Sequence, residues 1–157
     1  MSKAIEVAKS TAQDGGVAIG AVIVDNSTGQ IIACQGSLVG VTKDPTAHAE
    51  VNAIRAACQK INSEDLFGYS LFSTLEPCQM CLSAAAWAKI PNVYFGAYRR
   101  DVDSTLFDTK HSDGDESESS NMNLRETTDM HVVGGILEDE CAELLSGYHE
   151  KPKHKKD

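Results

Sequence analysis

Pro45-Thr46-Ala47-His48-Ala49-Glu50, followed about thirty residues later by Thr74-Leu75-Glu76-Pro77-Cys78-Gln79-Met80-Cys81, is the pair of stretches from which the rest of the chain can be read. The first supplies an imidazole and, two residues on, a carboxylate. The second supplies two thiols three apart, behind a proline suited to opening a helix. Cysteines at i and i+3 on a first helical turn share one face, with Cβ atoms about 5–6 Å apart, close enough to bind one metal ion. The helix dipole favours thiolate there. In a helix interior His48 and Glu50 would point apart, so both serve one pocket only if they sit at a helix tip. Glu50 is then a neighbour of the metal and not a ligand.

Three protein ligands, His48, Cys78 and Cys81, leave a tetrahedral zinc with one position for water, the mark of a catalytic site. Two thiolates and a neutral imidazole cancel the charge of the ion, and its water is acidified toward a pKa of about 7. Glu50 is placed to take that proton and hand it on. A lone Cys-x-x-Cys also occurs as half of a structural zinc knuckle or as a redox pair. A knuckle needs a second pair, whereas Cys34, Cys58 and Cys141 are single and scattered. A pseudoenzyme that keeps the motif is the other bland alternative.

His-x-Glu together with Pro-Cys-x-x-Cys is the signature of the zinc nucleobase deaminases. From about Ala4 to about Tyr148 the chain resembles the cytidine/deoxycytidylate deaminase superfamily. Asp44 to Glu50 and Thr74 to Cys81 resemble the branch that holds guanine deaminase, cytosine deaminase and the tRNA adenosine deaminases. The resemblance implies a three-layer α/β/α fold with a five-stranded mixed sheet, a Zn2+ cofactor and a hydrolytic deaminase that attacks an amidine carbon and releases ammonia. It also implies a homodimer whose partner helps shape the pocket.

Length and composition agree with a single domain. The 157 residues suffice for a proper core, and 41% hydrophobic with 24% charged residues is ordinary for a globular chain. No apolar run approaches the roughly 20 residues needed to cross a bilayer, and the start of the chain reads as an amphipathic helix, not a signal peptide. An odd cysteine count, with two assigned to metal, argues for a reducing compartment, and the expected location is cytoplasmic.

In chain order, Ser2 to about Gln13 has helical spacing and ends at Asp14-Gly15-Gly16. Ile19 to Val24 is an unbroken apolar run expected to be a buried strand, turned at Asn26-Ser27-Thr28-Gly29 into a return strand over Ile31 to Gln35. Gly20 reads either as a close approach to a ligand or as a plain strand glycine. Gly36 to Lys43 is expected to be a loop, and a helix is expected from Thr46 or Ala47 to about Lys60 with Cys58 in the core. Ser70 to Thr74 predicts a third strand delivering the cysteines, Pro77 to about Lys89 the second metal helix, and Asn92 to Gly96 a fourth strand. Met130 to Val133 and Glu138 to about Tyr148 predict a last strand and a closing helix. The domain is expected over residues 1–150. Its segment 101–129 carries nine acids against Lys110 and Arg125 and reads as a solvated insertion, or alternatively a lid. Residues 151–157 form a basic tail.

The substrate is read from groups around the motif. Trp87 resembles the tryptophan that guanine deaminases carry in the same helix, and core filler is the competing reading. Asp101 and Phe107-Asp108 resemble the acidic and aromatic elements of those enzymes, although Leu106 stands where they have glycine. Ser37 stands where the three branches usually have an asparagine that bonds the substrate. The end of the chain, Gly135 to Leu145, resembles the closing helix of the tRNA adenosine deaminases. Against a tRNA substrate stand a net charge of −9 and an acidic insertion expected close to the pocket, which would repel a phosphate backbone. The expected substrate is therefore a free nucleobase or small nucleoside, with a tRNA adenosine as the alternative and a non-catalytic nucleotide-binding regulator as the third possibility. The last has no need of Glu50.

Overall fold

The computed structural model describes residues 1–102 and 129–146. Phe107, Asp108, most of the acidic segment and the basic tail lie outside the described residues.

The core is a sheet of five strands: β1 (Gly20–Asp25), β2 (Ile31–Gly36), β3 (Tyr69–Leu75), β4 (Asn92–Ala97) and β5 (His131–Val133). Their order is β2-β1-β3-β4-β5. β1 runs antiparallel to both β2 and β3, while β3, β4 and β5 are mutually parallel. The sheet is therefore mixed, as expected. The turn between β1 and β2 forms because Asp25 Oδ1 accepts from the Ser27 amide at 2.8 Å and the Ser27 hydroxyl at 2.6 Å, and Gly29 takes φ 71°. A carboxylate that bonds the backbone two residues on is a local alternative to strand pairing.

Five α-helices, α1 (Ser2–Gln13), α2 (Val39–Thr42), α3 (Ala49–Ile61), α4 (Gln79–Trp87) and α5 (Glu138–Ser146), and a 3-10 turn over Arg99–Asp101 complete the described chain. Strand alternation sends Ala21 and Ile23 of β1, Leu71 of β3 and Val93 of β4 to one face. There they pack with Ala53, Ile54 and Ala57 of α3 and Leu82 and Ala85 of α4 in one buried cluster. The other face is covered by α1 and α5. A second cluster joins Leu75 and Ala97, at the ends of β3 and β4, to Cys141 and Leu145 of α5. The chain is thus a three-layer α/β/α structure.

Two glycines explain how the second layer sits so close. A Cβ at Gly20 would collide with the Ala4 carbonyl and lie 2.8 Å from the Ala8 amide nitrogen of α1, and one at Gly96 would collide with the Cys141 sulfur of α5. What approaches Gly20 is therefore the helix backbone, which decides between the two sequence-level readings of that residue in favour of neither a ligand nor an incidental glycine. Element ends otherwise fall within one to three residues of expectation. Two short elements were not expected: α2, a single turn inside the Gly36 to Lys43 segment, closed by Lys43 in the left-handed conformation at φ 57°, and a 3-10 turn over Arg99–Asp101.

Candidate functional site

Both metal stretches place their first ligand just before a helix. His48 is the N-cap of α3 with extended backbone (φ −66°, ψ 152°), and Cys78 is the N-cap of α4 (φ −74°, ψ 170°). Pro77 disfavours helical backbone at the residue before it, and α4 begins only beyond Cys78. Cys81 then falls on the first turn of α4, and Glu50 on the first turn of α3. β3 aims α4 at the same point that α3 reaches from the loop after β2, so the two helix tips meet beyond the carboxyl end of β3.

The resulting distances fit a metal. Cys78 Sγ lies 3.6 Å from Cys81 Sγ, and His48 Nδ1 lies 3.7 Å from Cys78 Sγ and 3.5 Å from Cys81 Sγ. A tetrahedral zinc with its usual bond lengths requires about 3.8 Å between sulfurs and about 3.6 Å between sulfur and nitrogen. The three atoms are spaced as three corners of that tetrahedron, and they are the group of His48, Cys78 and Cys81 whose ligand atoms all lie within 4.8 Å. These three residues are positioned to bind Zn2+. Among the described residues no other histidine, cysteine or acidic group joins them, which leaves the fourth corner open on the protein side.

Electrostatics follow from the same contacts. The hydrogen bond shared with Cys81, reinforced by His48, pulls the Cys78 thiol down to about 3 against the opposing effect of burial. Hydrogen bonding to Cys78, then burial and the nearby Glu50, push the Cys81 thiol up. Contact with Cys78 raises His48. A dication among them would favour thiolate at both sulfurs, since a coordinating thiol is deprotonated outright.

Glu50 is 4% exposed, and burial lifts its carboxyl above the ordinary range. Its two oxygens are differentiated. Oε1 accepts a hydrogen bond of 3.1 Å from the Ser73 hydroxyl, while Oε2 lies 3.5 Å from Cys81 Sγ. The carboxyl is thus held beside the metal trio without belonging to it.

A cavity of about 170 Å³ opens at this point. His48, Ala49 and Glu50 form its floor; Val17, Ile19, Val39 and Leu75 are its apolar walls, and Ser37 and Arg99 contribute polar groups. Since a water occupies about 30 Å³ of liquid, the space is of a size to take a single nucleobase. Ser37 is 5% exposed and is the residue that follows β2. Arg99 opens the 3-10 turn that follows β4, with Tyr98 between them. Its amide donates to Glu76 Oε2 at 3.1 Å and its Nε to the Glu76 carbonyl at 3.1 Å, which ties it to the turn that carries the cysteines.

The structure does not bring Trp87 to this cavity. It is the last residue of α4 and 87% exposed, and the six residues from Cys81 carry it about 9 Å along the helix axis away from the metal trio. Core filler fails equally as a description. Ser73 and Arg99 went unnoticed at the sequence level. Alternation along β3 from Leu71 would have put Ser73 on the face toward α3, and Arg99 could have been suspected from its place just beyond a parallel strand's carboxyl end, where α/β sheets collect their ligands.

Comparison with known proteins agrees with this geometry. Residues 1–97 match the family described as the cytidine and deoxycytidylate deaminase zinc-binding region. The chain is 35% identical over 158 aligned residues to the tRNA-specific adenosine deaminase of Bacillus subtilis (strain 168), covering 99% of this chain and 90% of that protein. Among solved structures, one from a study of A-to-I editing by tRNA:A34 deaminases at the wobble position superimposes with a TM-score of 0.73 at 34% identity, over 90% of this chain and 95% of the other. A guanine deaminase from Nitrosomonas europaea superimposes with a TM-score of 0.81 at 26% identity, over 94% of this chain and 81% of that one. With the family match spanning well over half of the chain and a convergent His48, Cys78 and Cys81 trio at its centre, this protein is a member of the cytidine and deoxycytidylate deaminase family.

Proposed function

We propose that this protein is a zinc-dependent hydrolase that converts adenosine to inosine within tRNA. The observation that supports it most is the end-to-end likeness to a tRNA-specific adenosine deaminase, which includes the closing helix as well as the metal motifs. The expectation of a free base rested on a net charge of −9 and on an acidic insertion near the pocket; against both stands a likeness that covers 99% of this chain. The cavity presents Arg99 as well as Glu50, and an arginine suits an RNA phosphate or ribose oxygen.

His48, Cys78 and Cys81 would hold the zinc, which would supply the Lewis acid that makes water nucleophilic near neutral pH. The remaining work falls to the chain. Val17, Ile19 and Leu75 hold the flat base and exclude bulk water, which strengthens the polar contacts inside. Glu50 receives the proton that the attacking water gives up at C6. It delivers that proton to the ring nitrogen, then takes the proton of the new C6 hydroxyl and gives it to the exocyclic amine, so that the C6–N bond breaks, ammonia leaves and the C6 carbonyl forms. A buried carboxyl with a raised pKa is suited to carrying protons both ways. Ser37 offers a hydroxyl where its relatives usually offer an amide, and one donor in place of two. Assembly as a homodimer belongs to the same proposal, and light scattering of the purified protein would read it directly.

Deamination of a free base of guanine type is the second reading, favoured by the superposition on a guanine deaminase. A substrate panel separates the two. The protein is incubated with unmodified tRNA transcripts that carry adenosine at the wobble position, and separately with guanine, cytosine and adenosine. Inosine formed in tRNA with no ammonia from the free compounds is the expected result. Ammonia from guanine or cytosine with no inosine in tRNA would overturn the proposal.

A further inference from the structure

Ser73 occupies the middle of the sheet. It pairs with Ala21 of β1 on one side and Phe95 of β4 on the other, and it is 0% exposed. The neighbouring positions on its face of the sheet, Leu71 and Ala21, are apolar. A hydroxyl placed there needs partners, and it has two. The Leu75 amide approaches Ser73 Oγ at 3.4 Å as a donor, and Oγ donates to Glu50 Oε1 at 3.1 Å.

A hydroxyl has one proton and two lone pairs. With an amide directed at a lone pair, that proton is committed to Glu50. One carboxyl oxygen is thereby tied to a strand that is hydrogen-bonded on both sides, and the other is left facing Cys81 and the metal trio. The other groups at the Glu50 carboxyl are its own backbone amide and the Cys81 thiol, and of its partners among the described residues only Ser73 comes from the sheet and not from a helix tip.

We propose that Ser73 is a positioning residue for Glu50, fixing the carboxyl so that Oε2 faces the reacting centre. The inference rests on the reading of Glu50 as proton carrier, and it adds a residue outside the metal motifs on which that role depends. A serine that merely satisfies a strand could be replaced by alanine without consequence for Glu50. A positioning serine could not, because proton transfer depends on geometry at the scale of a single hydrogen bond.

The test compares Ser73→Ala, Ser73→Thr and Ser73→Cys with the parent and with Glu50→Gln. Each is assayed for zinc per chain and for kcat and KM on the compound that the substrate panel identifies, and the zinc-loaded Ser73→Ala protein is crystallised. The expected result is a full complement of zinc, an unchanged KM, and a kcat at least about tenfold lower in Ser73→Ala. Ser73→Thr, which keeps the hydroxyl, restores kcat to within a few-fold of the parent. In the crystal the Glu50 carboxyl turns away from its parental position or occupies two. If Ser73→Ala does not fold, Ser73→Cys, of similar size but a weaker donor, must show the kcat loss in its place. Parental kcat in the alanine or cysteine variant, or an unmoved Glu50 carboxyl, overturns the inference. Undiminished turnover in Glu50→Gln would instead remove the proton-carrier reading itself, so the two failures are distinguishable.

Discussion

Replacing Gly20 by alanine adds one methyl group where the sheet meets α1, and the structure sets the size of the effect. The new Cβ would lie 2.8 Å from the Ala8 amide nitrogen and closer still to the Ala4 carbonyl oxygen, whereas ordinary van der Waals contact begins at 3.4 Å. Both opposing groups are backbone, so no side-chain rotation relieves the contact. α1 must retreat by at least about 0.6 Å at Ala8, and overpacking of this kind costs about 1–3 kcal/mol. The upper end is the appropriate figure because the neighbours are rigid. For a chain of this length each kcal/mol lowers Tm by about 2–4 °C, which gives a drop of about 6–12 °C. A thermal melt followed by circular dichroism measures it. The same experiment tests the alternative in which Gly20 makes room for substrate. That would leave Tm near the parent and raise KM. A melt within about 2 °C of the parent would refute the reading of Gly20 as a contact point for α1.

Other expectations follow from the site. Glu50→Gln keeps about one zinc per chain, since Glu50 lies beside the ligands and not among them, and lowers kcat by about 10²–10⁴; metal analysis beside an inosine or ammonia assay checks both. Cys81→Ala removes one of three ligands and loses stoichiometric zinc on dialysis, read by atomic absorption. Arg99→Gln leaves zinc binding intact and raises KM for tRNA; if Arg99 meets a phosphate, the slope of log affinity against log salt falls by about one. Trp87→Ala changes stability by no more than about 0.5 kcal/mol as a single chain, because the side chain is 87% exposed; a chemical denaturation curve at low protein concentration shows it.

The legible parts of the sequence were those in which covalent spacing sets geometry. Cys78 and Cys81 had to share a helix face, and the pairing of His48 with Glu50 required a helix tip, which the N-cap position of His48 satisfies. The apolar run after Ile19 and the Asn26-Ser27-Thr28-Gly29 turn fixed the hairpin for similarly local reasons. What depended on tertiary approach was harder. Gly20 carried no sign of which element would lie against it. Trp87 lies close to the metal motif in sequence, yet α4 runs straight for nine residues and delivers it to the far end. Ser73 is ordinary within a strand, and its bond to Glu50 spans 23 residues. α2 is a single turn, too short for any periodicity to announce it.

Zinc coordination in the purified protein is the most direct measurement. X-ray absorption at the zinc edge should show one ion per chain with two sulfur neighbours at about 2.3 Å and two light atoms, one from His48 and one from solvent, at about 2.0–2.1 Å. A shell with a third sulfur, or a fourth ligand from the protein in the place of solvent, would contradict a hydrolytic centre built from His48, Cys78 and Cys81.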